Sequence, residues 1–273
     1  MQIRDYSLPN GWYPRDKASV SAFLSKFKGD FSASAAIAPH AGWYYSGHLA
    51  ALAVSSLSAD AQVIVVLGGH LPGNSPPLFA MEDAVKTPFG SILIDDQFRS
   101  ALYKELGGEE DRYRDNTVEV LLPMVHYFFP DSKLLWIRFP ADISAYKAGA
   151  ELDKVANELG RKISVIGSTD LTHYGSNYGF SPKGSGAAAL DWVKNTNDAA
   201  FINAVLANDP KEVLRLAAKD HSSCSAGAVV GAMGFINSIG GKTATLLEYD
   251  TSASAMNGEI PESFVGYAAI SWV

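Results

Sequence analysis

Apolar positions along the chain follow two rhythms. Short β-branched runs, apolar at consecutive positions, alternate with longer segments in which apolar residues return every three or four positions. The first rhythm marks strands buried on both faces; the second marks helices with one apolar face. Residues 32–38, 62–67, 91–94, 133–139, 162–167, 243–249 and 264–273 are predicted strands. Residues 47–57, 96–106, 118–129, 143–159, 187–206, 210–219 and 226–239 are predicted helices. An aspartate caps the helix at 96–106, and Pro123 is expected to break or kink 118–129. Residues 71–78 and 178–186, with their prolines and glycines, are predicted surface loops.

Strand and helix alternate over the whole length, which predicts an α/β fold with a mixed, largely parallel sheet and helices on both faces. No charge block, Ser/Gly linker or repeat divides the chain, so residues 1–273 are expected to form a single domain. In open α/β sheets ligands bind beyond the carboxyl ends of the strands. Three of the six histidines follow predicted strands at once. His40 lies in Pro39-His40-Ala41-Gly42, His70 in Gly68-Gly69-His70, and His173 in Gly167-Ser168-Thr169-Asp170-Leu171-Thr172-His173. If those strands are neighbours, the three imidazoles gather at one edge, where the flanking glycines let backbone approach a ligand closely. Each is also accounted for as a hydrogen-bonded loop residue. His48, at the start of a helix, His126, in an aromatic helix end, and His221, in a polar turn, read as structural.

Cys224 precedes the predicted helix 226–239. The positive end of a helix dipole favours the thiolate, the form that binds metal or attacks an electrophile. A buried small hydrophobe is the competing role for a free cysteine. Asp170 and Glu119 are the acids expected near this chemistry. Asp170 shares a face with His173 if a helical turn starts there, and serves as an N-cap otherwise. Glu119 has a capping or surface role as its alternative.

Composition narrows the classes. The chain of 273 residues carries 22 Lys and Arg against 29 Asp and Glu, a net charge of −7, with no basic stripe. Nucleic acid and anionic membrane surfaces are therefore not expected partners. One cysteine excludes an internal disulfide framework and a cysteine-only metal site, and suits a reducing cytosol. The first residues lack the apolar core of a signal peptide, and no apolar run reaches the ~18 residues of a membrane span, so a cytoplasmic location is expected. Nucleophile-elbow, zincin and P-loop motifs are absent. Gly184-Ser185-Gly186-Ala187-Ala188-Ala189 matches a dinucleotide fingerprint but follows a loop instead of a strand.

Together these segments resemble the Memo family, also called AmmeMemoRadiSam system protein B, nearly from end to end. The resemblance rests on Pro39-His40-Ala41-Gly42 with Tyr45-Ser46-Gly47, Gly68-Gly69-His70, Thr87-Pro88-Phe89-Gly90, Val118-Glu119 with Leu122-Pro123, the 168–175 run, Cys224, and Phe264-Val265-Gly266-Tyr267. It implies a three-layer α/β/α sandwich similar to the catalytic subunits of class III extradiol dioxygenases. It also implies metal ligands at His40, His70 and Cys224, with His173 and Asp170 as acid–base or substrate-binding groups. Two departures stand out. Asp115-Asn116-Thr117 replaces the family's Glu-His-Ser run, and Ser225 replaces the glycine after the cysteine.

Two imidazoles and one anionic ligand leave positions open on a metal, as in non-haem iron sites. The softer thiolate lets copper and zinc compete with Fe(II). The first expectation is thus a metal-dependent, iron or copper oxidoreductase with dioxygenase-like character, acting on a small-molecule or peptide ligand. The second is a non-enzymatic binding or adaptor protein, since animal Memo proteins resemble phosphotyrosine-peptide partners and microbial members imply a radical-SAM partner. A third is a hydrolase with Cys224 as nucleophile and His173 or His221 as base.

Overall fold

A computed structural model describes residues 1–29, 32–241, 243–256 and 258–273. Its strands are β1 (Ile3–Arg4), β2 (Ala35–Ala38), β3 (Val63–Leu71), β4 (Leu78–Phe79), β5 (Ala84–Thr87), β6 (Gly90–Leu93), β7 (Glu109–Glu110), β8 (Lys133–Pro140), β9 (Ile163–Ser168), β10 (His173–Gly175), β11 (Ala244–Thr251) and β12 (Ser263–Trp272). Nine of them form one mixed sheet in the order β10-β12-β2-β9-β3-β8-β4-β7, with β11 on β12. Its middle, β2-β9-β3-β8, is parallel; β12 runs antiparallel to β2, and β4 antiparallel to β8. A small sheet, β1-β5-β6, lies apart from it.

The parallel strands explain the unbroken apolar runs. Successive side chains of a strand point to opposite faces. Val63, Val65 and Leu67 enter one core with the helices Ile143–Glu158, Asp198–Leu206 and Ala226–Ser238. Ile64 and Val66 enter the other, with the helices Lys17–Leu24, Trp43–Ser55 and Leu122–Phe128. All five of these β3 residues are completely buried. Each contributes about 1.5–3 kcal/mol by leaving water. The result is the expected three-layer α/β/α arrangement.

On the first face the helices Ile143–Glu158 and Ala226–Ser238 pack backbone to backbone. A Cβ on Gly149 would lie 1.9 Å from the Gly231 carbonyl oxygen, and one on Gly234 1.9 Å from that of Tyr146. At the sheet, a Cβ on Gly231 would lie 3.0 Å from Leu67 of β3 and one on Gly167 of β9 2.8 Å from the Ala228 carbonyl oxygen, so small residues let the helix that follows Cys224 sit low over these strands. No helix among the described residues is long and apolar enough to cross a membrane.

Some boundaries differ from expectation for clear reasons. The helix expected at 118–129 divides into Asn116–Glu119 and Leu122–Phe128. The break falls before Pro123, which sits in the first turn of the second piece, where its missing N–H costs nothing. The helix expected at 187–206 contains a π-helical turn, Val193–Asn197. The loop expected at 71–78 starts and ends in strand residues. His48 lies inside the helix Trp43–Ser55, not at its start.

Candidate functional site

Strand order decides where the histidines meet. β9 lies between β2 and β3, and all three run parallel, so their carboxyl ends share one edge. His40 follows β2, His70 lies near the end of β3, and the 169–173 segment follows β9. The amino end of the helix Ala226–Ser238 reaches the same edge and carries Cys224.

His40 is 1% exposed. Its backbone N–H donates to Asp170 Oδ1 at 2.7 Å, and its Nδ1 lies 2.9 Å from Ser168 Oγ. Its Nε2 lies 3.2 Å from Cys224 Sγ. His70 has a left-handed backbone, φ 57°, uncommon for a residue other than glycine. Gly68 and Gly69 allow that strand end to lie against its neighbours: a Cβ on Gly68 would meet Thr117 Oγ1 at 2.3 Å, and one on Gly69 would meet Ser225 Cβ at 2.3 Å. The His70 side chain is 33% exposed, and its Nδ1 lies 2.9 Å from Asp115 Oδ2. The His40 and His70 rings stand edge to face, 5.0 Å apart. One ligand atom from each of His40, His70 and Cys224 falls within 4.8 Å of the others.

Cys224 is held in place by its backbone N–H, which donates to the Asp170 carbonyl at 3.3 Å. Burial pushes its thiol up, but the two imidazoles outweigh burial and bring it well below the usual thiol range. Burial opposes the charged form of His70, while the hydrogen bond to Asp115 and the nearby sulfur raise it to about 10. His40 is raised as well: burial works against it, and the charges of Asp170 and Cys224 prevail. Without a metal between them, the sulfur and the two imidazoles thus favour one another's charged forms.

Asp170 and His173 border a cavity of about 680 Å³, whose walls include Trp12, Tyr45, Asn116 and Tyr178. Asp170 is buried, and that burial raises its carboxyl above the usual range against the pull of His40. No helical turn joins it to His173. Residues 169–172 are irregular, and His173 opens β10 opposite Val265. Both residues nevertheless reach the same cavity. His173 Nδ1 lies 3.1 Å from the Leu171 carbonyl, an acceptor, so Nδ1 is the donor in this contact and Nε2 is the nitrogen turned away from it. The His173 ring stands edge-on to Tyr178 at 4.9 Å. A smaller cavity of about 180 Å³ lies between His173, Phe180, His221 and Cys224.

The loop leading to His173 is fastened from behind. Asp198 Oδ1 accepts from the Thr172 N–H at 3.1 Å and from its hydroxyl at 2.5 Å. Asp198 Oδ2 accepts from Tyr249 at 2.8 Å. Asn197, the last residue of the π turn, donates to Thr172 Oγ1 at 2.8 Å.

Glu119 is not at this site. It is buried and accepts from the Ser7 and Leu8 backbone, the Ser7 and Tyr13 hydroxyls and Arg15. It fastens the amino-terminal segment, and it touches the cavity only through what that segment carries. His48 pairs with Glu248 on the surface, and His126 with Thr87. His221 caps the helix Pro210–Asp220 in a left-handed conformation and also borders the smaller cavity. In the sequence Asp115 stands out only as part of a departure from the family's run, and Arg138 is not among the candidates. Arg138 offered a signal: it is the one charged residue within the apolar stretch Leu134–Pro140 of β8, and a buried guanidinium requires anionic partners. Asn116, where the family pattern has histidine, donates to the His40 carbonyl at 3.0 Å.

Residues 4–271 match the sequence profile of a family described as Memo-like protein. A MEMO1 family protein of Archaeoglobus fulgidus is 29% identical over 98% of this chain and 98% of its own length. One from Pyrococcus furiosus is likewise 29% identical over 98% of each. Among solved structures, an uncharacterized protein, JW3007 of Escherichia coli K12, is similar at a TM-score of 0.47 and 13% identity, covering 87% of this chain and 98% of that one.

Proposed function

The chain belongs to the Memo family, and from that membership and its histidine–cysteine cluster we propose a metal-dependent oxidoreductase that acts on a small organic substrate. One observation carries this reading: two imidazoles and a sulfur, 184 positions apart at the extremes, converge at the carboxyl edge of a parallel sheet beside a cavity. The donor set fits a borderline-soft ion. Ser168 and Asp115 engage Nδ1 of the two rings, which leaves Nε2 of each as the free donor. The thiol is already biased toward thiolate. His40, His70 and Cys224 would hold iron or copper, with zinc as a competitor for the same donors. Such an ion supplies Lewis-acid and redox chemistry to a substrate lying next to it.

The remaining work belongs to the chain itself. His173 Nε2 accepts a proton from a substrate hydroxyl, while the Leu171 carbonyl keeps the ring in the required tautomer. Asp170 holds the His40 backbone with its carboxylate and the Cys224 backbone with its carbonyl, so one residue sets the spacing of two donors. Trp12, Tyr45 and Tyr178 give the cavity aromatic walls on which an organic substrate can pack.

The test is oxygen uptake by protein loaded with Fe(II) or Cu(I) against a panel of phenols and catechols. Uptake is expected to vanish in His40→Ala and Cys224→Ala and to fall about 10²–10⁴-fold in His173→Ala. Metal retention without turnover on any compound, and with His173→Ala indistinguishable from wild type in ligand binding, would favour a binding protein instead.

A further inference from the structure

The two histidines of the cluster are held by different chemistry. His40 Nδ1 meets a neutral hydroxyl, Ser168 Oγ at 2.9 Å. His70 Nδ1 meets a carboxylate, Asp115 Oδ2 at 2.9 Å. That carboxylate has little freedom to turn. Its Oδ1 accepts from the Thr117 N–H at 2.8 Å and from the Thr117 hydroxyl, and its Oδ2 also faces Arg138 Nη2 at 3.2 Å.

Arg138 is fixed in turn. Its Nε donates to the Gly69 carbonyl at 2.9 Å, and its Nη1 faces Asp111 Oδ1 at 3.3 Å. Asp111, completely buried, accepts from Trp136 Nε1 at 3.0 Å. A chain of ion pairs and charged hydrogen bonds thus runs Asp111–Arg138–Asp115–His70 from the sheet interior to the cluster. It joins β8 to the strained end of β3 through both the His70 side chain and the Gly69 carbonyl.

We infer that Asp115, oriented by Arg138, is a positioning residue that keeps the proton of His70 on Nδ1, directs Nε2 into the cluster, and makes His70 the anchoring donor of the pair. The carboxylate withdraws the Nδ1 proton toward itself, so the opposite nitrogen becomes the stronger donor. Ser168 gives His40 no comparable push. The chain also supports the left-handed backbone of His70, a conformation that is strained where nothing holds it. In Asp115→Asn the geometry conflicts with itself. Whichever way the amide turns, its NH₂ faces a group that only donates: the Arg138 guanidinium on one side or the Thr117 backbone N–H on the other. If the NH₂ faces His70, it displaces the Nδ1 proton and forces it onto Nε2, which removes the donor. The inference rests on the metal-centre reading for its consequence, but its proton placement stands on this chain alone.

Two measurements test it separately. In ¹⁵N-histidine NMR of the metal-free wild type, raised in pH until the His70 ring holds a single proton and with His70 assigned from a His70→Gln sample, that proton is expected on Nδ1. An unprotonated Nδ1 would overturn the inference. In Co(II) titrations followed by the thiolate charge-transfer band, Asp115→Asn is expected to weaken binding about 10–100-fold. Ser168→Ala is expected to weaken it several times less. Equal losses in the two variants, or none in Asp115→Asn, would also overturn it. A wild type that never develops the band overturns the metal-centre reading instead, and the NMR result then decides the proton placement by itself.

Discussion

Replacing Glu119 by glutamine removes the charge that fastens the amino-terminal segment. Its carboxylate faces two groups that donate at 2.8 and 3.2 Å, the Ser7 and Leu8 N–H, and the Arg15 guanidinium at 3.4 Å. None of these three can accept. The Ser7 and Tyr13 hydroxyls can rotate to accept from a new NH₂ group. Glutamine can therefore keep the Ser7 side of the arrangement but leaves Arg15 facing either a weaker acceptor or a donor. Glu119 is 3% exposed, so little water is available to make up the loss.

Losing one charge-assisted hydrogen bond of this kind costs about 1.5–3 kcal/mol. At about 2–4 °C per kcal/mol, Tm should fall by roughly 3–12 °C. Glu119→Ala takes this acceptor from the Ser7 and Leu8 N–H groups and both hydroxyls, leaves Arg15 only its bonds to the Tyr13 hydroxyl and the Leu8 carbonyl, and should cost about 3–5 kcal/mol. Because residues 10–12 border the large cavity, the loosening should also reach its wall. The assay is thermal melting together with hydrogen–deuterium exchange. The reasoning predicts that exchange in residues 5–15 accelerates well beyond that in β3 and β9. An unchanged Tm with unchanged exchange in that segment would refute it.

Gly149→Ala gains about 1 kcal/mol of helix propensity but places a Cβ 1.9 Å from the Gly231 carbonyl oxygen, so the two helices must part. A net loss of about 2 kcal/mol is expected in urea unfolding, and a stabilised variant would contradict the packing described. Among the described residues Asp198 forms no salt bridge, and burial raises its carboxyl from 3.8 to about 6 despite the donors around it and the charge of His173. As pH rises from 4 to 6 the unfolded chain gives up this proton while the folded chain keeps it. The group's contribution to stability therefore falls, by about 3 kcal/mol over the window. Asp198→Asn should remove that fall, so variant and wild type should diverge in urea midpoint between pH 4.5 and 7; parallel pH profiles would disprove the assignment.

The layered fold was legible because β3 and β8 are apolar on both faces, a pattern that only a covered sheet accommodates. Asp95 marked the start of its helix correctly, since a capping aspartate acts on the next few residues and needs no distant partner. Strands of two residues, such as β4 and β7, carry no period and could not be read. The meeting of His40, His70 and Cys224 depended on strand order, which local pattern does not contain. The strand-end rule and the family motifs together pointed to it. Glu119 was expected near the chemistry because its real partner, Ser7, lies 112 positions away. Asp115 looked like a departure from a motif, and its role emerges only when Arg138 and His70 are seen on either side of it. Ser225 fills the space over Gly69, a pairing that neither residue announces alone.

The central claim is that His40, His70 and Cys224 hold a metal. Elemental analysis of protein purified anaerobically, without chelator or affinity metal, tests it beside His40→Ala. The account predicts close to one iron or copper per chain in the wild type and almost none in the variant. An equal metal content in both, or none in either after Fe(II), Cu(I) and Zn(II) have been supplied, would contradict it.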